Sequence, residues 1–229
     1  MTTLYHFLLC PFSRRIRLAL DEYGFEFELK PENPWDRRKD FLALNPSGAT
    51  PVMVEGQGLV GGVYALTEFI EETVNIKGSD GGLFPDAFPA RAEVRRLIAW
   101  FDEKFSAEVS APLVHEKVVR RHLDPEQGGG PPDTAIVRAA VHNIKVHLDY
   151  IGYLVERRRW LGGEQFSHAD LAAAAHLSCI DYLGDVPWTH NEAAREWYAR
   201  VKSRPSFRPL LADRVAGMPP PPSYADLDF

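Results

Sequence analysis

The hydrophobic period of this chain changes at residue 10, and that change restricts the folds open to it. Leu4, Tyr5, Phe7, Leu8 and Leu9 form an apolar run long enough for a buried strand and too short for a stable helix. Cys10-Pro11-Phe12-Ser13 breaks it. From Ser13 onward Ile16, Ala19/Leu20 and Tyr23 recur three or four apart, with Arg14, Arg15, Arg17 and Asp21 left for a wetter side. A strand, a proline-containing turn and an amphipathic helix follow from this pattern. The turn is also a place for chemistry. A helix start offers unpaired backbone N–H groups that favour an anion and lower a thiol pKa, and Cys10 and Ser13 stand there.

Gly24 ends the helix, and Phe25, Phe27 and Leu29 then alternate with Glu26 and Glu28, the pattern of a half-buried strand. Two prolines within residues 30–35 argue against regular structure there. Asp36 to Leu44 has a short helical pattern, and Asn45-Pro46-Ser47-Gly48 reads as a turn. Val52–Val54 and Leu59–Val60 flank a tight hairpin, and Tyr64 to Val74 is helical. These elements make a compact α/β unit over residues 1–76. Residues 77–90, with Gly78, Gly81, Gly82, Pro85 and Pro89, read as a linker.

Beyond residue 90 the period is helical throughout, which predicts an all-α domain over 91–215. One long pattern runs from Arg91 to about Val119, with a bend expected near Pro112. A break at 125–132 separates it from a second long pattern, Thr134 to Trp160, closed by Arg157-Arg158-Arg159. Phe166-Ser167-His168-Ala169-Asp170 then precedes an apolar helix, Leu171 to Tyr182. Ser167 and Asp170 have the spacing of a reciprocal N-cap, and Phe166 that of its hydrophobic staple.

Composition narrows the functions. A formal charge of −6 argues against nucleic acid as a partner. Two cysteines, one in a turn and one in a helical pattern, suit a reducing compartment, and no apolar run approaches 18 residues. Without a signal-like start, the expectation is a cytoplasmic protein that does not insert directly into a membrane. The eight histidines form no ligand set for a metal, and the glycine pairs lack the context of a phosphate loop. Trp35 differs from the other tryptophans in lying in a proline-rich loop, where an indole suits a surface contact. The last segment, 216–229, is unusual too. A stiff Pro219-Pro220-Pro221-Pro222 run leads to Tyr224, Asp226, Leu227, Asp228 and Phe229, apolar anchors among acids that suit docking on a partner or on this protein's own surface. With no helical pattern in it, the segment from 223 on is expected to be dispensable for the fold.

Leu4-Tyr5, Cys10 to Leu20, Asn45 to Val52, Phe166 to Leu171 and Ser203-Arg204-Pro205-Ser206-Phe207 stand in an order and at separations that resemble the cytosolic glutathione transferase superfamily. The resemblance runs over about residues 4 to 211. It implies a thioredoxin-like N-terminal domain followed by an all-helical one. It also implies a glutathione site with Cys10 or Ser13 at the thiol, a cis-proline at Thr50-Pro51, and an acid followed by Ser before the helix at 64. That last pair is missing: Gly62-Val63 stands in its place. With this loss, Trp35 and the acidic-aromatic end, the chain is similar to the glutathione-transferase-like division proteins of alphaproteobacteria. That similarity implies a non-enzymatic homodimeric adaptor at the division site that binds filaments of the tubulin-like protein FtsZ and needs no cofactor. The contact residues expected are Arg14, Trp35, Arg37, Arg38, Lys39, Tyr224, Asp226, Leu227, Asp228 and Phe229. Two alternatives stay open: a glutathione-dependent transferase or thiol transferase using Cys10, and a stress-related protein-binding module.

Overall fold

The protein, as a computed structural model, is described over residues 1–76 and 82–227, with 74–76 in backbone only. The expected linker stretch at 77–81 and the expected contact residues Asp228 and Phe229 lie outside the described residues.

The N-terminal unit is a four-stranded mixed sheet in the order β2-β1-β3-β4, formed by β1 (Thr2–His6), β2 (Glu28–Pro31), β3 (Val52–Glu55) and β4 (Gly58–Gly61). β1 runs parallel to β2 and antiparallel to β3, and β3 and β4 form the expected hairpin. Side chains alternate across a sheet. Leu4 and His6 therefore lie buried on one face, while Tyr5 meets Phe41 of α2 (Lys39–Leu44) on the other. The burial of 25–30 alternates as the sequence pattern requires, but the ladder itself begins only at Glu28 and runs through Pro31. Pro31 is tolerated because β2 is an edge strand, where a missing N–H costs no ladder bond. That overturns the exclusion of regular structure at this proline.

α1 (Pro11–Glu22) starts two residues before the periodic pattern, with proline in its first turn and Cys10 as N-cap. Its arginines are the main departure from expectation. Arg14, Arg15 and Arg17 are 0%, 1% and 2% exposed, so they do not form a wet face. The helix has no wet face, because α7 of the second domain packs along the side that the N-terminal unit alone would leave open. Each guanidinium finds partners there, as desolvated charge requires. Arg15 pairs with Asp102 and donates to Thr67 Oγ1 at 2.8 Å, and Arg17 makes two bonds to Asp213 at 2.7 and 3.0 Å. Arg14 reaches Leu8 O, Ser178 Oγ and the Tyr224 hydroxyl.

α3 (Val63–Ile76) completes the first unit. The second is helical: α4 (Phe88–Ala99), a π-helical segment Trp100–Ser110, α5 (Ala111–Lys117), α6 (Thr134–Val155), α7 (His168–Tyr182), α8 (Glu192–Lys202) and α9 (Arg208–Leu211). Pro112 sits in the first turn of α5, just after the π segment, where its lost N–H costs least. α6 ends at Val155, five residues short of the expected Trp160, because Trp160 and Gly163 exchange backbone bonds in a tight turn. Each residue of α7 is buried, the polar His168, Asp170, His176, Ser178 and Asp181 included.

Both halves of the expected capping box are present at the start of α7. Asp170 does more than cap. It accepts from Ser167 N and Oγ (both 3.1 Å), Leu161 N (3.0 Å) and Trp197 Nε1 (2.9 Å), which ties the loop before α7 and helix α8 to one carboxyl. Asp170→Ala leaves these buried donors without an acceptor. It is expected to cost about 3 kcal/mol or more, against about 1 kcal/mol for Ser167→Ala. Urea unfolding of the two variants tests the order, and equal losses would reduce Asp170 to an ordinary cap.

Candidate functional site

A cavity of about 270 Å³ lies where the two domains meet. Phe7, Leu9, Cys10 and Phe12 supply one wall, Thr50 and its loop a second, and Ser106, Ser110, Val114 and His115 the helical side. The lining is mainly apolar, so an occupant would be held by shape and burial and oriented by few polar groups. Cys10 is half-buried on this wall. Its Sγ accepts from Ser13 N at 3.4 Å and donates to Thr50 O at 3.5 Å. The peptide bond between Thr50 and Pro51 is cis. Ser13, the other thiol-site candidate, is fully buried with no partner for its hydroxyl among the described residues, and it does not line the cavity.

At the start of α3, Gly62 adopts φ +89°, donates to Pro51 O at 3.0 Å and accepts from Leu66 N at 3.0 Å. Val63 follows, buried. Neither residue offers a carboxylate or a hydroxyl. The left-handed backbone of Gly62 is one that residues with a side chain adopt at a cost.

Sequence reasoning missed a polar chain behind the cavity. Ser110 Oγ lies 2.8 Å from His176 Nδ1, and His176 Nε2 lies 3.3 Å from Asp102 Oδ1. Burial opposes the charge on Asp102, but Arg15 and His176 hold its pKa below the usual carboxylate value. An ionised Asp102 accepts from Nε2–H, so in the neutral ring Nδ1 accepts from the Ser110 hydroxyl. The connectivity is that of a Ser-His-Asp triad, with the Ser110 side chain buried in the cavity wall. It braces the cavity wall against Arg15. Asp102 and Ser110 lie in the π segment and His176 in α7, 74 and 66 residues from them, a pairing that no local spacing announces.

The expected contact residues divide into three groups. Trp35 is half-buried: it packs edge-on to Phe7 and stacks on His122 of the second domain at 4.0 Å, with the rings 10° from parallel. Arg37, at φ +42°, and Lys39 are exposed, while Arg38 between them is held by Glu32 and Asp40. Arg14 and Tyr224 are wholly buried, so the expectation that they meet a partner is corrected. Arg14 is needed inside to join the domains, and the Tyr224 hydroxyl donates to Leu210 O at 2.9 Å. Asp226 and Leu227 are exposed just beyond this anchor. Among the described residues no cluster of His, Cys, Asp and Glu is placed to hold a metal ion, and no helix is long and apolar enough to cross a membrane.

A thioredoxin-like sheet domain, a helical domain and a Cys-lined cavity between them define the class, and comparison with known proteins agrees. Residues 4–78 match the family model for the glutathione S-transferase N-terminal domain. FtsZ-localized protein A of Caulobacter vibrioides is 45% identical over 227 residues, 99% of this chain and 98% of that protein. The solved structure of a glutathione S-transferase from Sinorhizobium meliloti 1021 superposes with a TM-score of 0.95 at 47% identity, covering 100% of both chains. FzlA from C. crescentus does so with a TM-score of 0.93 at 45% identity, covering 100% of this chain and 99% of the other. The chain belongs to the glutathione S-transferase family.

The corner at Gly62-Val63 generates a prediction about glutathione itself. A γ-glutamyl ammonium and carboxylate that lose their charged and hydroxyl partners forfeit charge-assisted bonds of about 1.5–3 kcal/mol each. Calorimetric titration is therefore expected to show no saturable binding up to about 1 mM glutathione. A dissociation constant in the micromolar range would overturn this.

Proposed function

We propose that the protein is a non-catalytic, cytoplasmic adaptor of cell division that binds FtsZ filaments as a homodimer. The observation that carries this reading is the likeness, over 99% of the chain, to a relative whose name places it with FtsZ. The loss of charged groups at Gly62-Val63 supports a scaffold function over glutathione chemistry. The contact face of the proposal is the Trp35 loop with Arg37 and Lys39, together with the exposed Ala225, Asp226 and Leu227 of the tail. A polymer presents many copies of one site, so a dimer with two weak faces gains through avidity.

For the dimer we propose the patch between α3 and α4. Tyr64 and Phe88 are 53% and 83% exposed, large apolar side chains that a monomer leaves wet. Arg95 of α4 reaches Glu68 of α3 at 3.3 Å between them.

The second reading is a transferase or thiol transferase working through Cys10. It is favoured by the position of that thiol at the start of α1 on the wall of an apolar cavity. Thiol-dependent turnover that Cys10→Ala abolishes would select it.

Cosedimentation with polymerised FtsZ tests the adaptor reading. Trp35→Ala is expected to weaken binding by about tenfold or more, the effect of removing an aromatic anchor. Removal of residues 225–229 should weaken binding. The cut belongs after Tyr224, because removing residue 224 as well would empty a buried position, and the sequence-based expectation of a dispensable 223–229 is revised accordingly. Full binding by both variants would refute the face, and no binding by the wild type at low salt would refute the partner. Phe88→Glu should convert the dimer to a monomer in light scattering, and an unchanged mass would move the interface elsewhere.

A further inference from the structure

The C-terminal segment crosses the molecule as a strap. The Tyr182 hydroxyl donates to Met218 O at 2.8 Å and accepts from Val215 N at 2.7 Å, fixing where the strap begins. Pro221 passes over Gly184, where a Cβ would lie 3.6 Å from the proline ring. Tyr224 then enters the interior, its ring edge-on to Tyr182 at 5.1 Å, and Lys202 donates to Ser223 O at 3.2 Å. The phenol sits between two groups. It donates to Leu210 O and accepts from Arg14 Nη1 at 3.2 Å.

Arg14 carries this anchor to the cavity. Its Nε donates at 2.7 Å to Leu8 O, in the turn that leads from β1 to Cys10, and its Nη1 donates at 2.9 Å to Ser178 Oγ of α7. The nearest carboxylate, Asp213, is 3.6 Å away and already makes two bonds to Arg17. Nη2 has no hydrogen-bond partner among the described residues. This fully buried guanidinium is thus held chiefly by three neutral acceptors, one in the cavity turn, one in α7 and one in the strap. A buried charge that loses one of a few acceptors has to shift towards what remains. Without Tyr224 what remains is Leu8 O, Ser178 Oγ and Asp213, and the one charged group among them, Asp213, draws the guanidinium away from the cavity turn.

We propose that Arg14 couples the C-terminal strap to the Cys10 wall of the cavity: Tyr224 in its socket holds the turn closed, and withdrawal of Tyr224 loosens it. By reciprocity, an occupant that spreads the Cys10 wall weakens the hold on the strap, and one that packs against the closed wall strengthens it. The strap carries Asp226 and Leu227 directly beyond its anchor, so the cavity and the exposed end share one equilibrium. The coupling itself is independent of the adaptor reading. Only the identity of a partner that would draw on the strap rests on it.

Cys10 makes the coupling measurable. The chain has two cysteines, and Cys179 is fully buried with its thiol pushed up to about 12, so a thiol reagent reports on Cys10 in the folded protein. Tyr224→Phe keeps the ring and removes the hydroxyl. Its labelling rate with an aromatic disulfide reagent is expected to rise roughly tenfold, since the rate follows the free energy that holds the turn shut. Asp133→Ala, which removes the N-cap of α6 and thereby lowers stability at another site, should leave the rate at the wild-type value. A wild-type rate in Tyr224→Phe, or an equal rise in Asp133→Ala, would overturn the coupling. None of these measurements involves FtsZ, so their failure is distinguishable from failure of the partner assignment.

Discussion

Three arginines on one helix hold this molecule together. Arg14, Arg15 and Arg17 of α1 have left water altogether, and a desolvated guanidinium costs several kcal/mol unless its surroundings repay it. Most of the compensating partners lie outside the N-terminal unit, Leu8 O and Thr67 Oγ1 being the two inside it. Asp102 lies in the π segment, Ser178 in α7, and Asp213 and Tyr224 near the end of the chain. Each of those groups must be in place for α1 to be buried, so the two domains and the strap specify one another. Removing one partner is the costly change, because the charge left behind stays buried.

The same arrangement ties the candidate site to the fold. The turn that presents Cys10 is held by Arg14, and the cavity's far wall is braced through Ser110 and His176 to the Asp102 that also receives Arg15. Both walls therefore hang on α1. A cavity built in this way is stiff towards small ligands and sensitive to shifts between the domains, since packed interiors move between discrete arrangements rather than deform smoothly. Trp35 adds a third link at the rim through its stack on His122, so a protein docking on that loop touches both domains at once.

The family scaffold sits easily with either an enzyme or an adaptor, because a fold hosts functions without dictating them. What differs is local. A transferase needs the tripeptide's charged end fixed so that its sulfur meets the helix start, and Gly62-Val63 offers neither carboxylate nor hydroxymethyl for that task. An adaptor needs only surfaces that other proteins can meet. The exposed Arg37 and Lys39, the half-buried Trp35 and the exposed Asp226 and Leu227 satisfy that need without calling on the cavity.

Much of this was legible from the order of residues. The switch of period at Cys10, the hairpin around residue 56 and the Ser167–Asp170 box each depend on contacts within a few residues, and each formed as its pattern required. The cis-proline at Thr50-Pro51 and the lost pair at Gly62-Val63 were readable because they are tied to a motif. The burial of Arg14, Arg15 and Arg17 was not. A charged residue at helical spacing predicts a wet face unless a counter-charge is known, and these partners lie 87 to 210 residues away in the chain. Tyr224 was misjudged for the same reason, since nothing near it in sequence announces the socket that Arg14, Tyr182 and Leu210 form. The Ser110–His176–Asp102 chain stayed hidden because His176 lies 66 and 74 residues from its two partners. The sequence by itself determined the elements, their caps and the family, through local spacing. The tertiary structure decided which charges are buried, which end of the tail is held and what the cavity is wired to, because only distant segments supply the partners that make those burials affordable.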